Sequence, residues 1–321
     1  MFGMILKLQA FMERLKKKKA LWFTTLTTLS ILGIVGTLYY LNSMTSRAAK
    51  NLYEATNASY FYDLDSKVAD SMHKLDIMGS MLVNNQGFVG AMNNQNDTAG
   101  ITAQLKKVSA DASKIDKNII TVELYNKNLV KIASSAEAPI LNGQPYDSKA
   151  MMRVVATNQP ITAIEYQDGQ VFLRAVYPLA NGILEVKKSA DFLFDVYSAN
   201  DKVFQVLLDK DLLDMKKVQE FKSQKIGKSE ISVQSKVDKD FLQKISELDF
   251  DKIITDKYML TDEYFVLAKP ILNTDGKRVG MFIIGENMLK DNSLPKMTKG
   301  ISTGLTTAAL GLVVALLVLM I

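Results

Sequence analysis

Residues 143–186 read GQPYDSKAMMRVVATNQPITAIEYQDGQVFLRAVYPLANGILEV. Ser148–Thr157 reads as a short helix. Ile161–Tyr166 and Val171–Tyr177 flank a turn containing Asp168-Gly169, which is the pattern of an antiparallel hairpin. Gly182–Lys188 is a further strand. Upstream, Ile119–Tyr125 and Leu129–Ser134 flank Asn126-Lys127-Asn128, a second hairpin signal. A loop with Pro139, Gly143 and Pro145 leads from it into the helix. The stretch and its upstream neighbour thus read as roughly five antiparallel strands with a helix inserted midway.

Further along, the pattern partly recurs. Val203–Leu208 is a strand, a mixed helical stretch includes Asp238–Leu248, and Tyr264–Leu272 and Arg278–Gly285 flank a turn at Asp275-Gly276. VFLRAVYPLANGILEV (171–186) and YFVLAKPILNTDGKRVGMFII (264–284) each hold a β-rich run, a Pro, a turn with Gly and a final apolar strand. Pro178 then matches Pro270, and two modules of one fold are expected.

In front of both modules lies a helical pattern. Phe61, Leu64, Val68, Met72, Leu75, Met78 and Leu82 recur in steps of three or four, one stripe of a long helix. About forty residues of helix span roughly 60 Å. The Met residues of the stripe read as core packing, and the stripe also suits pairing with a second copy. His73, the single His, falls off the stripe and reads as a surface residue. NNQGFVGAMNNQNDTAG (84–100) breaks the helix and reads as a turn; Ile101–Lys114 reads as a second helix.

The chain has 321 residues, no Cys, one Trp and a net charge of +5. Leu21–Leu41 and Ile301–Ile321 contain no charged residue. Twenty-one helical residues rise about 30 Å, the thickness of a bilayer's hydrocarbon core. Trp22 near one end of the first stretch and Tyr39-Tyr40 at the other form an aromatic belt. Residues 1–20 hold six bases against Glu13, a net +5 equal to that of the whole chain, so 33 bases and 33 acids remain elsewhere. The basic cluster places the N-terminus in the cytoplasm and gives no footprint for nucleic acid. Residues 42–300 are then expected outside the cytoplasm, in the periplasm beyond an inner membrane, where lack of Cys is compatible with an oxidising space. Whether the sequence is a fragment of a larger receptor or works through a partner stays open.

The layout of one span, a long helix, two PAS-like modules and a second span resembles the sensor half of bacterial transmembrane receptors. The residue 143–186 text is similar to the double-Cache sensor region of methyl-accepting chemotaxis proteins: a short helix, an x-Pro-Ile-x-x-Ile-Glu strand, a Gly turn and an Arg-x-x-x-Pro-Leu strand. The chain lacks that family's HAMP and coiled-coil signalling parts. The resemblance implies a transmembrane chemoreceptor sensing small molecules, with cytoplasmic signalling partners if the receptor extends past residue 321. It also implies that an Arg four residues before the strand's Pro, here Arg174, binds a ligand carboxylate. Where single-Cache sensors of citrate and similar acids have a Lys two residues later, Val176 stands; a smaller anion or an amino acid is then favoured over a polycarboxylate.

The residues read for themselves leave a choice. Arg174 stands mid-strand among apolar neighbours, and a buried guanidinium must be paired. Its partner is either a ligand or a protein acid, Glu165 or Glu185, on a neighbouring strand. The position four before Pro270 is Val266, so a single ligand site belongs to the first module. Arg153, Tyr166 and Tyr177 are further ligand-binding candidates, against a solvated helix face for Arg153 and core packing for each Tyr. No Cys nucleophile, His pair, Walker loop, G-x-S-x-G or H-E-x-x-H occurs, and the acids at Asp209–Asp211 and Asp249–Asp251 lack EF-hand spacing. No enzyme activity, metal or cofactor is expected.

The expected fold is α+β: a long N-terminal helix with two stacked antiparallel-sheet modules, flanked by two transmembrane helices. The boundaries are a basic tail (1–20), a first span (21–41), a stalk helix (42–83), a membrane-distal module (84–200), a membrane-proximal module (201–290), a linker (291–300) and a second span (301–321). Expected partners are a small anionic or amino-acid ligand, the lipid bilayer and a second copy in a homodimer. The alternatives are the sensor half of a histidine kinase or cyclase, or a stand-alone membrane-anchored interaction protein.

Overall fold

The computed structural model describes residues 2–93, 97–116, 118, 120–136, 146, 148–167, 170–209, 224–226, 230–232, 236–290 and part of 296–314. The chain divides into two units, Met1–Ala55 with Asn292–Ile321, and Thr56–Asp291. The first unit is described only as helix: the start of α1 (Phe2–Val83) and scattered helical residues near the C-terminus.

The second unit holds the rest of α1, then α2 (Gln86–Asn93) and α3 (Thr98–Asp116), and two antiparallel sheets. The first sheet is built from β1 (Ile120–Asn126), β2 (Lys131–Ser134), β3 (Ile161–Gln167), β4 (Gln170–Leu179) and β5 (Gly182–Ser189), with α4 (Lys149–Thr157) between β2 and β3. Its spatial order is β2-β1-β5-β4-β3. After α5 (Phe192–Ser198) come β6 (Lys202–Asp209), β7 (Gln224–Ile226), β8 (Glu230–Ser232), α6 (Lys239–Ile245), α7 (Phe250–Asp256), β9 (Met259–Leu260), β10 (Tyr264–Leu272) and β11 (Arg278–Asn287). The second sheet runs β7-β8-β6-β11-β10-β9. Setting β7 aside, β6, β8, β9, β10 and β11 repeat β1 to β5 in chain order and in spatial order. The repeat read from Pro178 and Pro270 is therefore a repeat of topology: Pro178 pairs with Ile183 and Pro270 with Met281.

Side chains alternate across each strand, so each sheet has two faces. In the first sheet, Val122, Leu124, Leu173, Ala175, Tyr177, Leu184 and Val186 share one buried face. The Tyr177 hydroxyl there donates to Asp76 on α1, 2.6 Å to Oδ1 and 2.7 Å to the carbonyl oxygen. Its ring lies over Gly79, where a Cβ would sit 2.4 Å from the ring. In the second sheet, Tyr60 of α1 donates to Glu286 of β11, and Lys269 of β10 pairs with Asp65. The opposite face of each sheet carries its own helices, α4 on the first and α6 with α7 on the second.

Helix termini follow local chemistry. Ser148, Asp238 and Asp249 cap α4, α6 and α7 through Met151, Phe241 and Lys252 N–H groups. Every member of the predicted α1 stripe is buried or half-buried, and His73 is exposed.

Several expectations are corrected. Residues 84–100 are not simply a turn: Gln86–Asn93 is helical, because Phe88 and Met92 bury one face and Asn85 Oδ1 accepts from Phe88 N–H at 3.0 Å. Leu129 does not begin a strand. Its φ is 61°, it belongs to the β1–β2 turn, and a register shift between Leu124 and Tyr125 absorbs the extra residue. Strands β7, β8 and β9 and helix α5 were not anticipated. The Asp168-Gly169 turn and the Pro139–Pro145 loop lie outside the described residues. Leu21–Leu41 is helical within α1, but among the described residues no helix is long and apolar enough to cross a membrane. Several side chains of Leu21–Leu41, and most of Ile301–Ile321, lie outside the described set.

Candidate functional site

The α4 face of the first sheet combines an apolar patch with a buried ionic cluster. The patch joins Tyr125, Ala150, Met151, Val154, Ala163, Val176 and Ile183. Beside it, β1 contributes Glu123, β5 contributes Glu185 and Lys187, β4 contributes Arg174, and β3 contributes Glu165 and Gln167. The register dictates this meeting: Glu123 pairs with Glu185, Arg174 with Lys187, and Glu165 with Phe172. Two like-charged cross-strand pairs thus lie side by side, an arrangement that repels unless each charge reaches a diagonal opposite.

Each does. Arg174, with 0% exposure, places Nη1 2.9 Å from Glu185 Oε1 and 3.1 Å from Glu165 Oε2. Its Nη2 donates to Gln167 Oε1 at 3.2 Å and to the Tyr146 hydroxyl at 3.4 Å. Lys187 Nζ lies 2.6 Å from Glu123 Oε2 and 2.7 Å from Gln167 Oε1. Lys131 of β2 adds a third cation, 2.8 Å from Glu123 Oε1. Tyr125 donates to Glu123 Oε2 at 2.6 Å, and Ser134 donates to Glu123 Oε1 at 3.0 Å. Among the described residues three bases and three acids balance. The Arg174–Glu185 contact is close in distance without hydrogen-bond geometry, and among the described residues Arg174 Nε has no hydrogen-bond partner.

Glu165 fastens α4 to this cluster. Its Oε1 accepts from Ala150 N–H and its Oε2 from the Ser148 hydroxyl, both at 2.7 Å. One carboxylate on β3 therefore serves the helix N-terminus and the Arg174 guanidinium together.

The electrostatics follow the geometry. Burial raises the Glu123 carboxyl pKa, but Lys187 and Lys131 outweigh burial and hold it well below the usual range. Burial works against charged Arg174, yet Glu185, Tyr146 and Glu165 raise its pKa above the ordinary guanidinium value. Burial, reinforced by Glu185 and Glu123, keeps the Tyr125 phenol protonated far beyond its normal range.

The four sequence-predicted ligand residues are not brought together. Arg174 is in the cluster, and its partners are both of the acids that the sequence offered as the alternative to a ligand. Arg153 is exposed on the outer side of α4. Tyr177 faces α1, where its hydroxyl serves Asp76. Tyr166 pairs with Val171 and so falls on the face opposite Arg174. The residues missed are Glu123, Tyr125, Tyr146, Lys187 and Gln167. A signal for one of them was present: Lys187 sits two residues after Glu185 in a strand otherwise reading as core, so the two share a face. Among the described residues no group of three or more His, Cys, Asp or Glu fits a metal ion.

No family model matches the chain, and no curated protein does. Several solved structures are similar to it. The sensory domain of the Campylobacter jejuni chemoreceptor Tlp3 is 11% identical, with 77% of this chain and 95% of that chain covered at a TM-score of 0.42. The ligand-binding domain of the Pseudomonas aeruginosa PAO1 amino acid chemoreceptor PctC, in complex with GABA, is 13% identical over 70% of this chain and 93% of that chain at 0.35. The Escherichia coli DcuS sensor domain is 16% identical over 42% of this chain and 99% of that chain at 0.32. Those proteins are sensor and ligand-binding domains.

Proposed function

We propose that the chain is the sensor half of a transmembrane receptor, with residues 42–300 outside the cytoplasm and a small ligand taken on the α4 face of the first sheet. One observation carries this reading. The two sheets repeat one topology, and among the described residues only the first buries a cluster of charges beneath its helix; the second keeps Asp209, Arg278 and Asp251 at a partly exposed edge. An ionic filling is a poor way to stabilise a core, and departures from local consistency concentrate at functional sites. Leu21–Leu41 and Ile301–Ile321 are the spans of this reading, on the strength of their sequence. Ligand binding shifts the first sheet against α1, and the shift reaches the membrane through the segment after β11. Such a shift requires the ligand to bind the two states unequally.

Calorimetric titration of the full chain in detergent with a panel of carboxylic acids and amino acids tests the ligand. Saturable binding that is lost in Arg174→Met supports the reading; a silent panel overturns it. Protease treatment of intact spheroplasts tests the topology: residues 56–291 are expected to be cut without lysis.

A second reading is favoured by the ion pairs of Arg174 with Glu165 and Glu185. In it the cluster is a self-contained polar core, and the chain is a membrane-anchored interaction protein without a small ligand. A histidine kinase or cyclase output fits the first reading equally.

A further inference from the structure

Glu165 occupies a position with the chemistry of an anion subsite. It faces a guanidinium of 0% exposure, a capping hydroxyl and a first-turn N–H of α4. Helix N-termini and guanidinium forks both favour carboxylates. Among the described residues Arg174 Nε has no acceptor. The cluster is charge-balanced with Glu165 in place, so adding a free anion leaves a buried excess of negative charge, which is strongly unfavourable.

We propose that Glu165 is a tethered carboxylate filling an anion subsite made by Arg174 and the α4 N-terminus, and that a small monocarboxylate takes this subsite only in exchange for it. The inference rests on the reading of the α4 face as the ligand site, and it adds the regulation of that site. With the exchange, the tie between β3 and α4 is lost, and α4 is the element released. Because Glu165 is held in place by the chain, it competes at a high effective concentration, and weak carboxylates do not displace it.

The test is chemical rescue in the full chain. Sodium formate is the probe, and sodium chloride at the same ionic strength is the control. In Glu165→Ala, amide hydrogen exchange across residues 149–154 is expected to rise by about tenfold over wild type, the loss of charged hydrogen bonds being local to α4. Formate at about 0.1 M returns it toward wild type by mass action, and chloride does not. Wild type responds equally to the two salts. Unchanged exchange in the variant overturns the tether. Raised exchange that is indifferent to formate overturns the subsite. Glu165→Ser, which retains a hydroxyl against the α4 terminus, carries the same test if Glu165→Ala is recovered unfolded. Failure here alongside saturable panel binding removes only the role of Glu165; a silent panel alongside formate rescue removes the sensing and leaves the subsite.

Discussion

The two sheets share a strand order and a register, and they differ in what fills the face beneath their helices. Counted from Pro178 and Pro270, Arg174 corresponds to Val266, Glu185 to Ile283 and Lys187 to Gly285. On the next ladder Glu123 corresponds to Gln205 and Tyr125 to Leu207. Where Lys187 extends through the first sheet's cluster, Phe241 closes over Gly285, and a Cβ there would lie 2.3 Å from its ring. The second filling is hydrocarbon: Leu207, Phe241, Leu242, Val266, Met281 and Ile283 pack together with almost no exposure. Burying such side chains contributes about 1.5–3 kcal/mol each, whereas a buried ion cluster roughly breaks even at best. One topology thus accommodates both fillings, and the second sheet supplies stability that the first gives up. Gln205 keeps a trace of the polar version. It is fully buried, with neither amide atom hydrogen-bonded among the described residues.

The sharpest way to break this comparison is to exchange the fillings. Val266→Arg places a guanidinium in a cluster of apolar side chains and is expected to prevent recovery of folded protein. Arg174→Met leaves Glu165 and Glu185 buried without their cation, at a cost of about 3–5 kcal/mol. Adding Glu185→Leu to it removes an orphaned acid, so the double variant should be at least ~1 kcal/mol more stable than the two single losses combined. Urea unfolding followed by circular dichroism reads all three. A Val266→Arg protein as stable as wild type removes the distinction between the sheets.

The distinction was only half legible in the sequence. Strand alternation and the hairpin turns gave both modules, and the Pro178/Pro270 match gave the repeat, because period and turn chemistry are local. Arg174 stood out for the same reason, as a charge in an apolar strand. Glu165 and Glu185 were offered as its partners, but Glu123, Lys187 and Gln167 join them at register positions that only the folded ladders define, and Tyr146 arrives from a loop. That Tyr177 and Tyr166 lie on the face away from α4 was not legible, because alternation tells which residues share a face but not which face a helix covers. The short strands β7, β8 and β9 have two or three residues each, too few for a periodic signal.

A smaller effect comes from pH. The Glu123 carboxyl is depressed in the folded chain, so its stabilisation is fully present above the unfolded carboxylate pKa, about 4.3, and is lost as pH falls toward the folded value. Stability should be flat between pH 7 and about 5 and should decline below about 4. Lys187→Met removes one of the two cations holding Glu123 ionised, so the folded value moves toward the unfolded one and the acid decline should be smaller and end at higher pH. Gln205, at the matching position, has no charge to titrate. Thermal unfolding across a pH series checks this; a Lys187→Met curve with an unmoved acid limb would mean that Lys187 does not hold Glu123 ionised.

The smallest difference lies in the helix caps, and it separates a local role from a networked one. Asp249 caps α7 at an exposed site by accepting from Lys252 N–H at 3.1 Å. Asp249→Ala is expected to cost about 1 kcal/mol, the ordinary value of an N-cap. Ser148 accepts from Met151 N–H at 3.2 Å and also donates to Glu165 at 2.7 Å. Its loss leaves a buried carboxylate short of one donor, so Ser148→Ala should cost about 2 kcal/mol. Moreover, the excess over Asp249→Ala should vanish in a Glu165→Ala background, where the hydroxyl has no carboxylate to serve. Equal costs for the two caps in the wild-type background would mean that α4 is held as α7 is, by its own end alone, and that the ionic cluster of the first sheet does not reach its helix.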